Sequence, residues 1–223
     1  VQDQAWVSAW VRQQPADPLP GVHYRIQDVR DAAGCRSAMK ADAPHQVFHL
    51  AAITHLGQAN DQPIAAHDTN VRGTANVMAA VPGLATAVYA STCHVYGPPE
   101  HLPIGEAHPC APQGVYARTK LEAEIVARAC CEQVVIARAF HHTGAGQSSR
   151  FALADWAEKV SRGQEVLTGD LSLRRDYTDV RDICGGYRLL AQHGLAHEVY
   201  NLCSGEAVPL QELLEGMAPP GAV

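Results

Sequence analysis

The sequence predicts an α/β protein built on a doubly wound parallel sheet, and three observations carry that prediction. Short runs rich in β-branched residues alternate with helical patterns along the chain. The runs Gln46–Ala52 and Ala85–Ala90 are nearly continuous in apolar residues, as strands covered on both faces are. Arg12, Asp28, Ala51-Ala52, Ser91-Thr92 and Phe140-His141 stand just past apolar runs, and in such a sheet ligands sit beyond the carboxyl ends of the strands. With 223 residues and 47% hydrophobic content, one domain around one core is expected.

The elements follow in order. Ala5–Val11 reads as a strand, ended by Arg12 and a Gln- and Pro-rich loop, and Val22–Ile26 as a second strand running into Gln27–Asp31. A helix is expected from about Asp31 to Lys40, then the strand Gln46–Ala52. From Gln62 to Ala80 the apolar spacing turns helical, and the strand Ala85–Ala90 ends at Ser91-Thr92. The strongest helical pattern, Tyr116–Cys131, leads into the strand Gln133–Ala139. Helices from about Arg150 to Arg162 and from Val180 to Gln192, and a strand at Val199–Leu202, complete the alternation.

Composition excludes several classes. A net charge of -6, with no Lys/Arg run, argues against a nucleic-acid partner. No apolar run is long enough to span a membrane and no signal peptide is present, so a cytoplasmic protein is expected. Seven Cys with no C-x-x-C pair fit reduced thiols. The twelve His are scattered, with His141-His142 the only adjacent pair, and no metal site is expected.

Tyr116 and Lys120 lie four apart, one helical turn on the same face, which is an arrangement for proton transfer. A free Tyr has a pKa of about 10, and bringing it to about 7 takes roughly 4 kcal/mol in favour of the phenolate. A nearby ammonium and a cationic nicotinamide ring would each supply part of that. Tyr-x-x-x-Lys also occurs by chance in helices, so the pair needs company.

Company is present. His49-Leu50-Ala51-Ala52, the stretch Asn70–Val77, and Ser91-Thr92-Cys93-His94-Val95-Tyr96-Gly97 precede Tyr116 and Lys120 in an order that resembles the extended short-chain dehydrogenase/reductase family, the sugar-nucleotide epimerases, dehydratases and reductases. The resemblance runs on through Arg138–Gln147, Arg175–Asp182 and Val199–Gly205, where it is nearest to the GDP-4-keto-6-deoxy-mannose reductases and the GDP-mannose 4,6-dehydratases. It implies a Rossmann-like fold, an NADP or NAD cofactor, a nucleotide-sugar substrate, GDP-linked by preference, and a homodimer joined through the helix that begins at Tyr116. Leu121, Ile125, Val126 and Ala129 give that helix an apolar face, which burial in the monomer core would explain equally well.

The resemblance assigns roles. Thr92, Tyr116 and Lys120 match the catalytic residues; Arg12, Asp28, Val29, Ala51, Ala52, Asn70, Lys120 and Phe140 match the cofactor lining; Thr92, His94, His141 and Arg175 match the substrate side. Arg12 favours NADP, because Arg can pair with a 2′-phosphate where an acid would accept from a 2′-hydroxyl; alternatively it is a solvated loop cation. Asp28 would accept from the adenine amine. In the 4,6-dehydratases a Glu stands two before the Tyr-Gly of the catalytic strand. Here Cys93 and His94 follow Thr92, so carbonyl reduction is a better reading than elimination. His94 is either a proton-transfer group or a polar wall residue, and Arg175 either a phosphate ligand or a surface cation paired with Asp176 or Asp179.

Two features depart from the pattern. The family's G-x-x-G-x-x-G phosphate turn, expected before the strand containing Trp6, is absent from the sequence, and His141 and Ala145 stand where Asn and Pro are usual. The expected domain is therefore a single dinucleotide-binding unit, residues 1–223, lacking the first strand-turn-helix unit and the end of the substrate lobe, with partial lobe segments around 144–177 and 206–223. The expected activity is NADPH-dependent reduction of the 4-keto group of a nucleotide-linked 4-keto-6-deoxy sugar. A C4 epimerase or 4,6-dehydratase is the alternative within the enzymes; a catalytically silent dinucleotide-fold scaffold is the alternative outside them.

Overall fold

The computed structural model describes residues 5–217. The residues of the expected lobe segment 206–223 that follow Met217 lie outside the described residues.

The alternation is realised. In chain order the elements are β1 (Val7–Val11), β2 (Val22–Ile26), α1 (Ala32–Asp42), β3 (Gln46–His49), α2 (Leu56–Asp61), α3 (Pro63–His67), a π-helical turn (Asp68–Arg72), α4 (Gly73–Met78), β4 (Thr86–Thr92), a 3-10 turn (Cys93–Tyr96), α5 (Gly114–Cys130), β5 (Val134–Ala139), β6 (His141–Thr143), α6 (Ala152–Ser161), β7 (Arg174–Asp179), α7 (Val180–His193), β8 (Val199–Leu202), β9 (Ala207–Pro209) and α8 (Leu210–Met217). Strands β3, β4, β5 and β8 pair in that order, all parallel. Strands β1 and β2 form a separate parallel pair, and β6, β7 and β9 a small mixed sheet.

Period-two alternation explains the apolar runs. Ala87 and Tyr89 of β4 and Val134 and Ile136 of β5 face α4 and α5, packing with Met78, Ala123 and Ala127. Val88, Val135 and Ala137 face the other way, against Leu190 and Ala191 of α7. Both faces are thus dry, and every residue of β5 is buried. Small residues on α5 let the helix lie close to the strands. A third cluster, Val29, Cys35, Met39 and Val77, with Trp10 and Val47 packed against it, joins β1 and β2 to the larger sheet through α1 and α4.

The expected single helix from Gln62 to Ala80 is α3, a π-helical turn and α4 in succession, preceded by α2. Pro63 at the first turn starts α3, where its missing N–H costs nothing. β3 ends at His49, short of the expected Ala52, and beyond it the backbone of Ile53 is held by the Asn70 side chain. β6, β7 and β9 were not expected; Arg174–Asp179 carries four charges in six residues and pairs in a small sheet outside the core.

Candidate active site

Parallel strands deliver their carboxyl ends to one edge, and the catalytic candidates meet there. Thr92 ends β4, and its Oγ1 accepts from the backbone N–H of His94 at 3.3 Å, starting the 3-10 turn that presents Cys93 and His94. α5 brings Tyr116 and Lys120 against β4. Phe140 and His141 follow β5. A cavity of about 440 Å³ opens at this edge, with Thr92, His94, Tyr116, Phe140 and His141 in its wall. Tyr177, Phe151, His55, Gln147 and Arg150 line it as well. Sequence reasoning assigned none of these five a role: Gln147 and Tyr177 lie within the stretches that carry the resemblance, His55, Arg150 and Phe151 outside any of them, and only the approach of the substrate-side segment to the sheet edge brings them in. No Asp or Glu lines the cavity among the described residues.

The electrostatics of the pair differ from the sequence expectation. Lys120 Nζ donates to the carbonyl of Ala90 at 2.5 Å and lies 4.3 Å from the centre of the Tyr89 ring. It is 4% exposed. Burial pulls its pKa down to about 7, with the Glu124 carboxylate opposing. Tyr116 is pushed up to about 12, chiefly by burial and slightly by Cys93, while a hydrogen bond from Thr92 works the other way. The expected depression of Tyr116 by Lys120 is therefore not found here. A strand carbonyl holds the ammonium, and desolvation of the phenol dominates.

His94 stands edge-on to Tyr116, ring centres 6.0 Å apart, and to His141 at 5.5 Å; His141 in turn is 5.2 Å from Tyr177. Burial, with the Arg175 charge nearby, lowers the pKa of His94, and burial, with His94 next in weight, lowers His141 to about 4. Both imidazoles are neutral at pH 7. Arg175 does not line the cavity, but its charge reaches both rings. The two neighbouring acids are engaged elsewhere: Asp176 accepts from Ser204 and Gly205, and Asp179 is held by Arg181.

The expected cofactor residues divide. Arg12 is exposed at the end of β1, and its charge helps to lower Asp28. Asp28 itself is forked by Arg30, at 2.6 to 3.1 Å, which holds its carboxyl at about 2. Val29 is packed into the core, and its carbonyl accepts from Asn76. Ala51 and Ala52 lie past β3, the first exposed and the second half-buried. Asn70 is 1% exposed, and its amide is fully spent: Oδ1 accepts from Ile53 N–H, and Nδ2 donates to Ile53 carbonyl and to Thr119 Oγ1, at 2.8, 3.1 and 3.0 Å. Thr119 Oγ1 donates to the Tyr116 carbonyl. Asn70 thus ties the segment after Ala52 to the start of α5. A guanidinium stands at the β1 end and small side chains past β3; Phe140 lines the cavity, whereas Lys120 does not, its Nζ being held at the Ala90 carbonyl. No glycine turn for the pyrophosphate is written in this sequence.

A hydroxyl and a phenol meeting in a cavity at the carboxyl edge of a doubly wound parallel sheet, with a buried lysine one turn further along the phenol's helix, define a dinucleotide-dependent enzyme scaffold. Residues 2–203 match the model of the NAD dependent epimerase/dehydratase family, and the chain belongs to that family. It is 34% identical over 195 residues to GDP-6-deoxy-D-mannose reductase of Pseudomonas aeruginosa, an alignment covering 79% of this chain and 63% of the reductase. It is 26% identical over 226 residues to UDP-glucose 4-epimerase of Rhizobium meliloti, covering 85% and 66%. Among solved structures, RMD from Pseudomonas aeruginosa complexed with NADPH superimposes with a TM-score of 0.79 at 31% identity, covering 90% of this chain and 73% of that one. A structure described as a putative epimerase from Burkholderia cenocepacia J2315 gives 0.85 at 30%, covering 95% and 71%. The chain spans less than two thirds of the length of the reductase it matches.

No helix among the described residues is long and apolar enough to cross a membrane.

Proposed function

We propose that the chain carries the catalytic half of an NADPH-dependent reductase acting on the 4-keto group of a nucleotide-linked 4-keto-6-deoxy sugar, with GDP as the nucleotide. The observation that carries this reading is a cavity that holds the Thr92 hydroxyl and the Tyr116 phenol but no carboxylate. Elimination of water from a sugar needs a base to take a carbon-bound proton; this wall offers imidazoles but not the carboxylate that stands there in the 4,6-dehydratases. The 34% identity to a GDP-6-deoxy-D-mannose reductase supports the nucleotide.

When bound, the nicotinamide supplies hydride; the chain supplies the proton and the geometry. Tyr116, protonated throughout the physiological range, donates its phenolic proton to the carbonyl oxygen as that oxygen becomes an alkoxide far more basic than a phenolate. Thr92 donates a hydrogen bond to the same oxygen as charge develops. Lys120 would hold the nicotinamide ribose with the protons that its bond to the Ala90 carbonyl leaves free, Arg12 the adenosine phosphate and Arg175 a phosphate of the sugar nucleotide. Phe140 and His141 border the cavity on the β5 side and exclude water.

A UDP-sugar C4 epimerase is the second reading, favoured by the epimerases among the relatives. Net NADPH consumption separates the two, because an epimerase regenerates its bound cofactor. In a version of the protein extended to the length of its relatives, stoichiometric NADPH oxidation with GDP-4-keto-6-deoxymannose is expected. Tyr116→Phe should lower turnover by about 10³-fold with an unchanged thermal midpoint. Full activity in that variant would overturn the mechanism. NADPH-independent interconversion of UDP-sugars would favour the epimerase.

The same reading places the protein in the cytoplasm, where its seven cysteines, all free in the structure, stay reduced. It also makes the protein a homodimer. Of the apolar face of α5, Val126 packs against the subunit's own core and Leu121 is half-buried, while Ile125 is left 63% exposed, where a partner helix would cover it. A monomer at high concentration in sedimentation would count against the dimer.

A further inference from the structure

The cavity at the sheet edge has a cation in its wall to which the proposed reaction gives no task. Arg150 stands on the turn between β6 and α6, and it is the permanently charged side chain of that wall: no Lys, Asp, Glu or second Arg lines the cavity with it among the described residues. The sequence has no Asp or Glu between Glu132 and Asp155, and Asp155 is taken by Lys159 at 2.8 Å. The other cations of the substrate-side segment are engaged as well. Arg162 is paired with Glu158 at 2.7 Å, the Arg174 guanidinium donates to the Ala207 carbonyl, and that of Arg175 donates to the Arg174 carbonyl at 2.8 Å. The Arg150 backbone N–H meets Ser148 Oγ at 3.4 Å, but its guanidinium has no hydrogen-bond or ion-pair partner among the described residues.

The turn beneath that free side chain is held on both sides. Gln147 Oε1 accepts from Thr143 Oγ1 at 2.7 Å, Gln147 Nε2 donates to the His142 carbonyl at 3.3 Å, and the Phe151 N–H donates to the Ser148 carbonyl at 3.1 Å. Arg150 is thus fixed at its root, at the cavity, and free at its tip. A pyranose carries C4 and C1 at opposite ends of its ring, so a sugar whose C4 oxygen meets Thr92 and Tyr116 directs the diphosphate on its C1 away from β4 and α5. Arg150 comes from a segment that bears neither catalytic group. A diphosphate is a poor match for a protein of net charge -6 unless a local cation receives it, and a guanidinium offers a fork of N–H donors that fits phosphate oxygens.

We propose that Arg150 binds the diphosphate of the sugar nucleotide and is the cavity's own phosphate ligand, whereas Arg175 stands outside the wall. The proposal rests on the reading of the substrate as a nucleotide sugar. It adds a residue that no spacing or motif in the sequence marks, and it explains why a cation is left without a partner in a wall otherwise free of fixed charge.

Isothermal titration of the extended protein with GDP and with UDP tests this, and it needs neither a keto sugar nor turnover. Arg150 is exposed, so Arg150→Gln should keep the thermal midpoint of the parent. Its affinity for whichever nucleotide the parent binds better should fall about 10- to 100-fold, the loss expected when a charged hydrogen-bond donor is removed. Arg150→Lys should lie between the two, because an ammonium keeps the charge and loses the fork. In steady-state kinetics Arg150→Gln should raise KM with kcat little changed. Equal nucleotide affinity in parent and Arg150→Gln overturns the proposal, and so does a loss confined to Arg175→Gln. The proposal and the reading beneath it fail separately. A parent that prefers UDP and loses it in Arg150→Gln supports the site and refutes the GDP-linked reductase; keto-sugar reduction with unchanged GDP binding in Arg150→Gln upholds the reductase and overturns the site. A parent that binds neither nucleotide overturns both.

Discussion

At the scale of single residues, spacing and environment make separate contributions. Four-residue spacing put Tyr116 and Lys120 on one face of α5, as the sequence required. Their proton affinities were decided by what else touched them: the Ala90 carbonyl takes the ammonium, and the desolvated phenol stays protonated at about 12. Tyr116 is thus set up as an acid. Thr92→Val should lower kcat by about 10²-fold while changing KM little, because the bond of its single hydroxyl proton to the substrate oxygen matters most once that oxygen carries charge. Steady-state kinetics check this; a change in KM alone would reassign Thr92 to substrate binding. Thr92, Tyr116, Phe140 and the two His were legible because each follows a strand or opens a helix. Asn70 was legible as a motif residue but not as a brace, since its partners Ile53 and Thr119 lie 17 and 49 positions away.

At the scale of elements, the connection between β4 and α5 shows how the site is held. Gly97 ends the 3-10 turn at φ 69 and ψ -151, a conformation open to glycine alone, and a Cβ there would collide with the Ala111 carbonyl. Ala111 N–H returns to the Tyr96 carbonyl at 3.2 Å, so the loop closes on the turn that carries Cys93 and His94. Gly97→Ala should cost about 3 kcal/mol, read as a lower urea midpoint with unchanged m-value. A loss below about 1 kcal/mol would show that the loop can yield. Core strands and long helices were readable because burial on both faces writes continuous apolar runs. The small sheet was not, because β6, β7 and β9 are stabilised by pairing with one another and not by an apolar face of their own.

Across the whole molecule, the buried ionisable groups set a stability profile with pH. Burial lowers His49 to about 3 and His141 to about 4, below the ordinary 6.5, so the unfolded chain binds more protons between those values and stability is lost as pH falls below 6.5. Lys120, at about 7 folded against 10.5 free, adds stability as pH rises from 7. Cys35 and Cys93, both raised to about 11 by burial, act in the opposite sense: their stability is present below 9 and is lost as pH rises toward 11. Maximal thermal stability is expected near pH 9. His49→Gln should flatten the acid limb; a Tm independent of pH from 4.5 to 7 would refute the assignment. The sequence by itself determined the order of strands and helices, the face each turns inward and the edge at which the catalytic residues gather, because periodicity and burial are local properties of a chain. Only the tertiary structure decided which cavity they share with Tyr177, His55 and Arg150, and where the Lys120 charge is held, because those contacts join elements far apart in the chain and their energies depend on the water that packing removes.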